Sequence, residues 1–400
     1  MKKSLDVYLF YYFLILLIFS CIFLFTKHEV GNDSTISEWF INYEGGFTKR
    51  GIVGQIAIEL SRYFQTGLRW TIFILQTLTV TIYFFLLFNF LKKLKFERVI
   101  ILSIFTPIFI LYPVAEIEVL ARKEIIVFSF FLFYLLIPRS SNFKIFSLVL
   151  FLTLSMLIWE PVIFFFPLIL IFEIIENNIQ RFDLNLIKIV SSFIPGLVIA
   201  LIIIFNPLNG KEHEVMALVL KNEFGQDCYM SCDRILSVKI SDNFQQVTDR
   251  YSFEVFLRYS LIIIIGFFPL GVLFKNSYLK NDKLFIFKYF DELINPFFFA
   301  LLPVAVLFAM AFDWGRWVNI SYVFLALIYF QLMLNNYLIL DVKKLRQNFL
   351  YKIKGTIFAI FFIIFCFGWN PKTAVSGDVA SFPGYRIPVK VINKIFTGEY

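Results

Sequence analysis

Long apolar blocks, separated by short basic clusters, constrain this chain more than any other feature. The first, MKKSLDVYLFYYFLILLIFSCIFLF, has a basic start and then an apolar run. The run is about nineteen residues, within the length that crosses a hydrocarbon core. No small-residue cleavage site follows, so it reads as an uncleaved first helix. Comparable blocks recur to near residue 369. At roughly 17–25 apolar residues per crossing, with allowance for short or tilted ones, they give about eleven spans. One of these is expected near 99–114. The expected fold class is all-α, a polytopic integral membrane protein of about eleven transmembrane helices. It forms a single integral membrane domain over 1–400. Composition agrees: 59% of residues are hydrophobic, 20% aromatic and only 16% charged. Soluble domains average about 45–50% apolar and about 25% charged.

The net charge of +8 does not cluster on a polar face. Its lysines and arginines punctuate the apolar blocks, which is a topology signal. Placing the N-terminus in the cytoplasm puts Lys92, Lys93, Lys95 and Arg98 inside, then Arg139 and Lys144, then Arg181 and Lys188. Two later loops follow the same rule. The outer segments are then the first loop, 27–69, the long loop 207–258 and the C-terminal tail 370–400. No internal repeat, nucleic-acid motif, Walker A or G-x-G-x-x-G sequence is present, so cytosolic ATP chemistry and nucleic acid are unsupported. Two His and four Cys do not make a zinc cluster, and no metal or cofactor is expected. Outside the membrane a Cys228–Cys232 disulfide is permitted, although closing so short a loop is geometrically demanding.

Four short stretches place charge at the outer ends of spans: EGGFTKRG (44–51), AEIEVLARKE (115–124), WEP (159–161) and DWGRW (313–317). Charge at membrane depth is rare and usually functional, and four clusters on one side point to one site. After Arg50, GIVGQIAIELSRYF predicts a helix. Ile52, Val53, Ile56, Ala57, Leu60 and Phe64 share one face, and Gly51, Gln55, Glu59 and Arg62 the other. It is too short to span, so an amphipathic helix lying in the outer interface is expected. Its N-terminus, beside Lys49 and Arg50, is an anion site fit for a phosphate at headgroup level. Gly45 and Gly46 permit a tight turn or the approach of a ligand. Alternatively, Lys49 and Arg50 only hold the helix on lipid headgroups.

In the second stretch, a helix over 116–124 would pair Glu118 with Arg122, with Glu116 and Lys123 a turn further round. Arg122 and Lys123 then either form a mutual ion-pair cluster or bind the same anion. Glu160 stands between two apolar runs with no cation near it in sequence, so it needs a partner or a raised pKa. It is either an interfacial carboxylate at a helix start or a general base or sugar-hydroxyl ligand. Asp313 and Arg316, with Trp314 beside them, either pair with each other or bind substrate, the ring against sugar C–H faces. Asp33 and Glu38, in GNDSTISEWF, read first as helix-cap chemistry.

These residues carry a resemblance. Y-E-GGF-T-KRG, the A-R-K-E turn, the Glu–Pro pair and D-W-G-R-W resemble motifs in bacterial O-antigen and capsule polymerases of the Wzy type. A first span followed by a long outer loop with an interfacial helix is also similar to GT-C glycosyltransferases. In that superfamily an acid early in the first outer loop is catalytic, and Asp33 holds the matching position without an adjacent acidic partner. The polymerase resemblance implies a metal-independent glycosyltransferase in the bacterial inner membrane. Its partners would be undecaprenyl-diphosphate-linked oligosaccharide, the lipid bilayer and other polysaccharide-export membrane proteins. Lys49, Arg50, Arg122 and Arg316 would stabilise the diphosphate leaving group, and Glu44 or Glu160 would accept the acceptor hydroxyl's proton. The rivals are a GT-C enzyme using a polyprenyl-phosphate sugar and a flippase. Transporters place charge at the midplane of broken helices and often show repeats, a pattern this chain lacks.

Overall fold

The computed structural model describes residues 2–29, 34–141, 143–233, 244–245, 247–281, 283–290, 292–374 and 395–396. Helix dominates, and among the described residues the sheet is one short antiparallel pair. Among the described residues five helices are long and apolar enough to cross a membrane: Asp6–Glu29, Leu68–Leu91, Leu184–Phe205, Phe253–Lys275 and Trp314–Leu334. Shorter apolar helices cover Glu124–Leu136, Phe143–Ile158, Ile294–Met310 and Gly355–Phe367. The expected span near 99–114 is broken instead, into Arg98–Phe105 and the single turn Tyr112–Ala115. Pro107 and Pro113 explain the interruption, because neither can donate to a continuous helix ladder.

The chain divides into two compact units, each assembled from three separate stretches of sequence. In the first, helices pack in series. Lys2–Glu29 lies on Leu68–Leu91, which lies on Glu124–Leu136, then Phe143–Ile158, then Ile194–Phe205. Their shared surfaces are aromatic and aliphatic, as where Phe13 meets Phe84 and Phe131 stacks on Phe151. The outward faces keep Tyr8, Ile22, Phe85 and Ile204 exposed, which suits lipid rather than water. In the second unit Trp314–Leu334 is the central helix and is buried almost throughout. Asn319 Nδ2 caps the carbonyls of Ile108 and Phe109, and Tyr322 donates to Ser103 O, so the broken segment's backbone is satisfied by this helix. Ser277–Leu279 pairs with Leu338–Leu340, Tyr278 opposite Ile339.

The helix expected after Arg50 runs Gly51–Phe64. It packs on Leu68–Leu91, on Phe143–Ile158 and on the turn Glu38–Phe40. Its buried face differs from the expected one. Gly51, Val53, Gly54, Ala57, Ile58 and Ser61 are buried, whereas Ile56 and Phe64 are exposed. Small residues, not large apolar ones, choose the packed face, because they let backbones touch. A Cβ on Gly54 would lie 2.0 Å from Ile41 O, and one on Gly51 2.2 Å from the Tyr43 ring. The helix stops at Gln65, left-handed at φ 53°, where Thr66 N–H donates to Ser61 O.

Two further elements fix the loop before this helix. The Gly210–Phe224 helix begins with a reciprocal cap. Asn209 Oδ1 accepts from Glu212 N–H and the Glu212 carboxylate accepts from Asn209 N–H. Beyond its end Cys228 and Cys232 are joined in a disulfide, with Cα atoms 5.3 Å apart. Ser231 N–H donates to Ser37 Oγ and Tyr229 meets Phe40 edge-on, so the bridged loop lies against the Ser34–Phe40 segment.

Gly54→Ala drives a methyl into a backbone carbonyl and should cost about 1–3 kcal/mol. Gly271, inside Phe253–Lys275, has open space where its Cβ would go. Thermal melting of both alanine variants in detergent should show a drop for Gly54→Ala and none for Gly271→Ala.

Candidate functional site

Arg50 is the hub of the first unit's charged cluster. Its Nε and Nη2 donate to the two carboxylate oxygens of Glu160 at 2.7 and 2.8 Å, a bidentate fork across 110 residues of sequence. Its Nη1 donates to Glu38 Oε1 at 3.2 Å. Arg50 is also left-handed at φ 62°, a conformation that costs a non-glycine residue about 1–2 kcal/mol. Lys123 helps hold it there, donating from Nζ to Arg50 O at 2.6 Å. Across the cluster Ala121 is likewise left-handed, and its carbonyl accepts from Trp39 Nε1. Two strained residues therefore brace the same few side chains, as strain often does where function needs a fixed geometry.

Glu160 therefore has the partner that its sequence context required, and the partner comes from the first long loop. Burial raises its carboxyl, but Arg50 and then Lys49 outweigh that and hold it below the usual carboxylate range. Lys123 is fully buried, and desolvation pushes its ammonium down to about 7 against the pull of Glu38 and Glu160. Lys49 is half-buried and also lowered, by desolvation first, with Glu160 opposing. Among the described residues Lys49 Nζ makes no hydrogen bond; its neighbours act on it only through space.

Glu38, read from its sequence as cap chemistry with Asp33, is instead a partner of Arg50. It is fully buried, inside the turn Glu38–Phe40. The available signal was the run WFI directly after it, too short to span yet apolar enough to bury the acid with it.

Other expected site residues are placed differently. Glu44 Oε1 accepts from Arg62 Nη1 at 2.8 Å and from Gln55 Nε2 at 2.9 Å, and the Arg62 bond holds its carboxyl below the usual range. Arg62 also forks onto Glu223, so Glu44 belongs to a network joining the Gly51–Phe64 and Gly210–Phe224 helices. Gly45 meets the backbone of Glu212, and Gly46 its side chain. A Cβ on Gly45 would sit 1.8 Å from Glu212 O, and Gly46 has φ +143°. The 116–124 stretch is a series of turns rather than a helix, interrupted by the left-handed Ala121. Arg122 Nε consequently donates to the backbone carbonyl of Glu118, not to its carboxylate. Asp33 lies outside the described residues.

Asp313, Trp314 and Arg316 lie in the second unit, at the start of Trp314–Leu334. Arg316 is buried and pairs with Asp313 at 3.4 Å. Trp314 Nε1 donates to Phe308 O, and its ring sits edge-on to Tyr259 and Phe308. Nearby, Lys372 reaches Glu116 at 3.6 Å, and Tyr259 Oη donates to the carbonyls of Lys372 and Ala374. Gly315 lets this strand of chain pass, since its Cβ would lie 2.0 Å from Lys372 O. No group of three or more His, Cys, Asp or Glu side chains among the described residues is placed to hold a metal ion.

The fold thus defines a multi-pass helical membrane protein, with a buried ion cluster built on Arg50. No protein-family model, curated protein or solved structure matches the chain.

A double-mutant cycle on Arg50 and Glu160, read by melting in detergent, should give a coupling of about 1–3 kcal/mol. The more exposed Arg62–Glu223 pair should give about 1 kcal/mol or less. A second measurement concerns pH. Lys123 ionises near 7 when folded and near 10.5 when unfolded, so the unfolded chain binds more protons between these values. Stability should therefore rise with pH from about 7 toward 10.5, and Lys123→Met should flatten that rise relative to wild type.

Proposed function

We propose that this protein is a membrane glycosyltransferase that polymerises oligosaccharide repeats carried on undecaprenyl diphosphate. It would act at the outer face of the bacterial inner membrane, with about eleven spans and a cytoplasmic N-terminus. The observation that carries the reading is Lys49: a half-buried ammonium without a hydrogen bond among the described residues, beside Arg50 and Glu160. An ammonium not committed to an acceptor among the described residues is available to an anionic ligand. The Gly51–Phe64 helix starts two residues later and points the positive end of its dipole to the same place. A diphosphate suits that environment.

The chemistry then follows from the groups present. The acceptor sugar's hydroxyl oxygen attacks the anomeric carbon of the growing chain. The bond from that carbon to the diphosphate breaks, and its electron pair leaves on a phosphate oxygen. Lys49 and Arg50 stabilise that developing charge, and a carboxylate takes the hydroxyl proton. Of the two proposed bases we assign Glu160, because it adjoins Lys49 and Arg50; both it and Glu44 are held by an arginine, Arg50 and Arg62 respectively.

Deleting the gene in a strain with long surface polysaccharide should leave a lipid core bearing a single repeat. Lys49→Ala should lower polymer synthesis about 100-fold at unchanged expression, and Lys49→Arg should recover part of it. An unaltered chain-length distribution after deletion refutes the reading. A truncated repeat would instead indicate a single-sugar transferase, and repeats retained in the cytoplasm a flippase.

A further inference from the structure

Among the described residues Glu38 and Glu160 both hold Arg50, and they hold it differently. Glu38 is fully buried and takes a single bond from Nη1. Glu160 takes the Nε/Nη2 fork, and 21% of its side chain is open to solvent. That planar fork is the edge a guanidinium offers to a phosphate. Lys49 and Lys123 both act on Glu160 through space. Three cations thus converge on the one of these two carboxylates that solvent can reach.

We propose that Glu160 is an internal stand-in for an anionic ligand. A diphosphate displaces it from the Nε/Nη2 edge of Arg50, while Glu38 keeps hold of Nη1. This rests on the functional reading above and adds a sequence of events to it. The hub itself need not move: the left-handed Arg50 backbone is fixed by Lys123, and Nη1 by Glu38. Only the accessible partner is exchanged. Once released, Glu160 no longer has the guanidinium that keeps it ionised, so its affinity for a proton rises. Binding the donor and arming the base become one event, and an empty site keeps its base silent.

A displaced Glu160 gives a sign that a merely structural ion pair would not. Removing the charge of Glu160 removes a competitor, so anion affinity should increase. Removing that of Glu38 loosens the hub, so affinity should fall. The test is calorimetric titration of the purified full chain in two arms: inorganic pyrophosphate in detergent, and a polyprenyl diphosphate in phosphatidylcholine nanodiscs. Glu160→Gln should bind about tenfold more tightly than wild type. Glu38→Gln and Lys49→Met should bind more weakly, and Glu223→Gln, on the exposed network, as wild type. Tightening in both arms assigns the site to the diphosphate group itself, and tightening in nanodiscs alone assigns it to the lipid-linked form. Weaker or unchanged binding by a folded Glu160→Gln in both arms overturns the proposal. Should that variant not fold, Glu160→Asp, which withdraws the carboxylate by one methylene, decides by the same criterion with an expected gain of about threefold. Tightening without any polysaccharide phenotype on deletion would keep this inference and remove the polymerase reading. A single-repeat phenotype with unchanged Glu160→Gln affinity would do the reverse.

Discussion

The first unit depends on one guanidinium. Arg50 ties the Glu38–Phe40 turn to the start of the Glu160–Phe165 turn, and its own carbonyl ties both to Lys123. These three contacts come from segments that no local sequence signal joins. A charge taken out of water has to be paired and hydrogen-bonded, or its desolvation cost is not offset. Arg50 meets that requirement with donors from all three of its nitrogens. The same requirement explains the glycines around it. Close contacts at Gly45, Gly51 and Gly54 draw the loop against Glu212, Tyr43 and Ile41, and so deliver Arg50 to its partners.

How much of this could be read from the sequence differs by level. The Gly51–Phe64 helix has the limits its pattern implied, because an apolar period is a local property. Which face it buries was not legible, since in a membrane protein large apolar residues are as content in lipid as in a core. Ile56 and Phe64 face outward, and Gly54 and Ser61 inward. Glu160 was legible as a group needing a partner, but not which one, because a pair 110 residues apart leaves no local trace. Glu38 was hidden by its neighbours: Ser, Thr and Asp before it look like a helix cap, and the burial that matters arises only when Trp39 packs against Ala121.

The DWGRW stretch makes the opposite case. Its Asp313 and Arg316 meet each other, and Trp314 anchors to Phe308 and Tyr259. Polar groups that find partners within their own turn fix a helix start, here that of the most buried helix in the second unit. The contrast with Lys49 is chemical. Arg316 shares a bond with Asp313 three residues away, while Lys49 has only through-space neighbours among the described residues.

Charge balance explains why Lys49 can remain in that condition. Among the described residues, Glu38 and Glu160 act on Lys123, and Glu160 also on Lys49 and Arg50. Lys123 ionises near 7, so close to neutrality its own charge comes and goes with a single proton. An incoming anion favours the protonated form, and the protonated form favours the anion, by the same free energy. Burial that lowers the affinity of Lys123 for a proton therefore limits the cost of confining its charge. In the proposed complex the protonated form of Lys123 is the one that faces the anion.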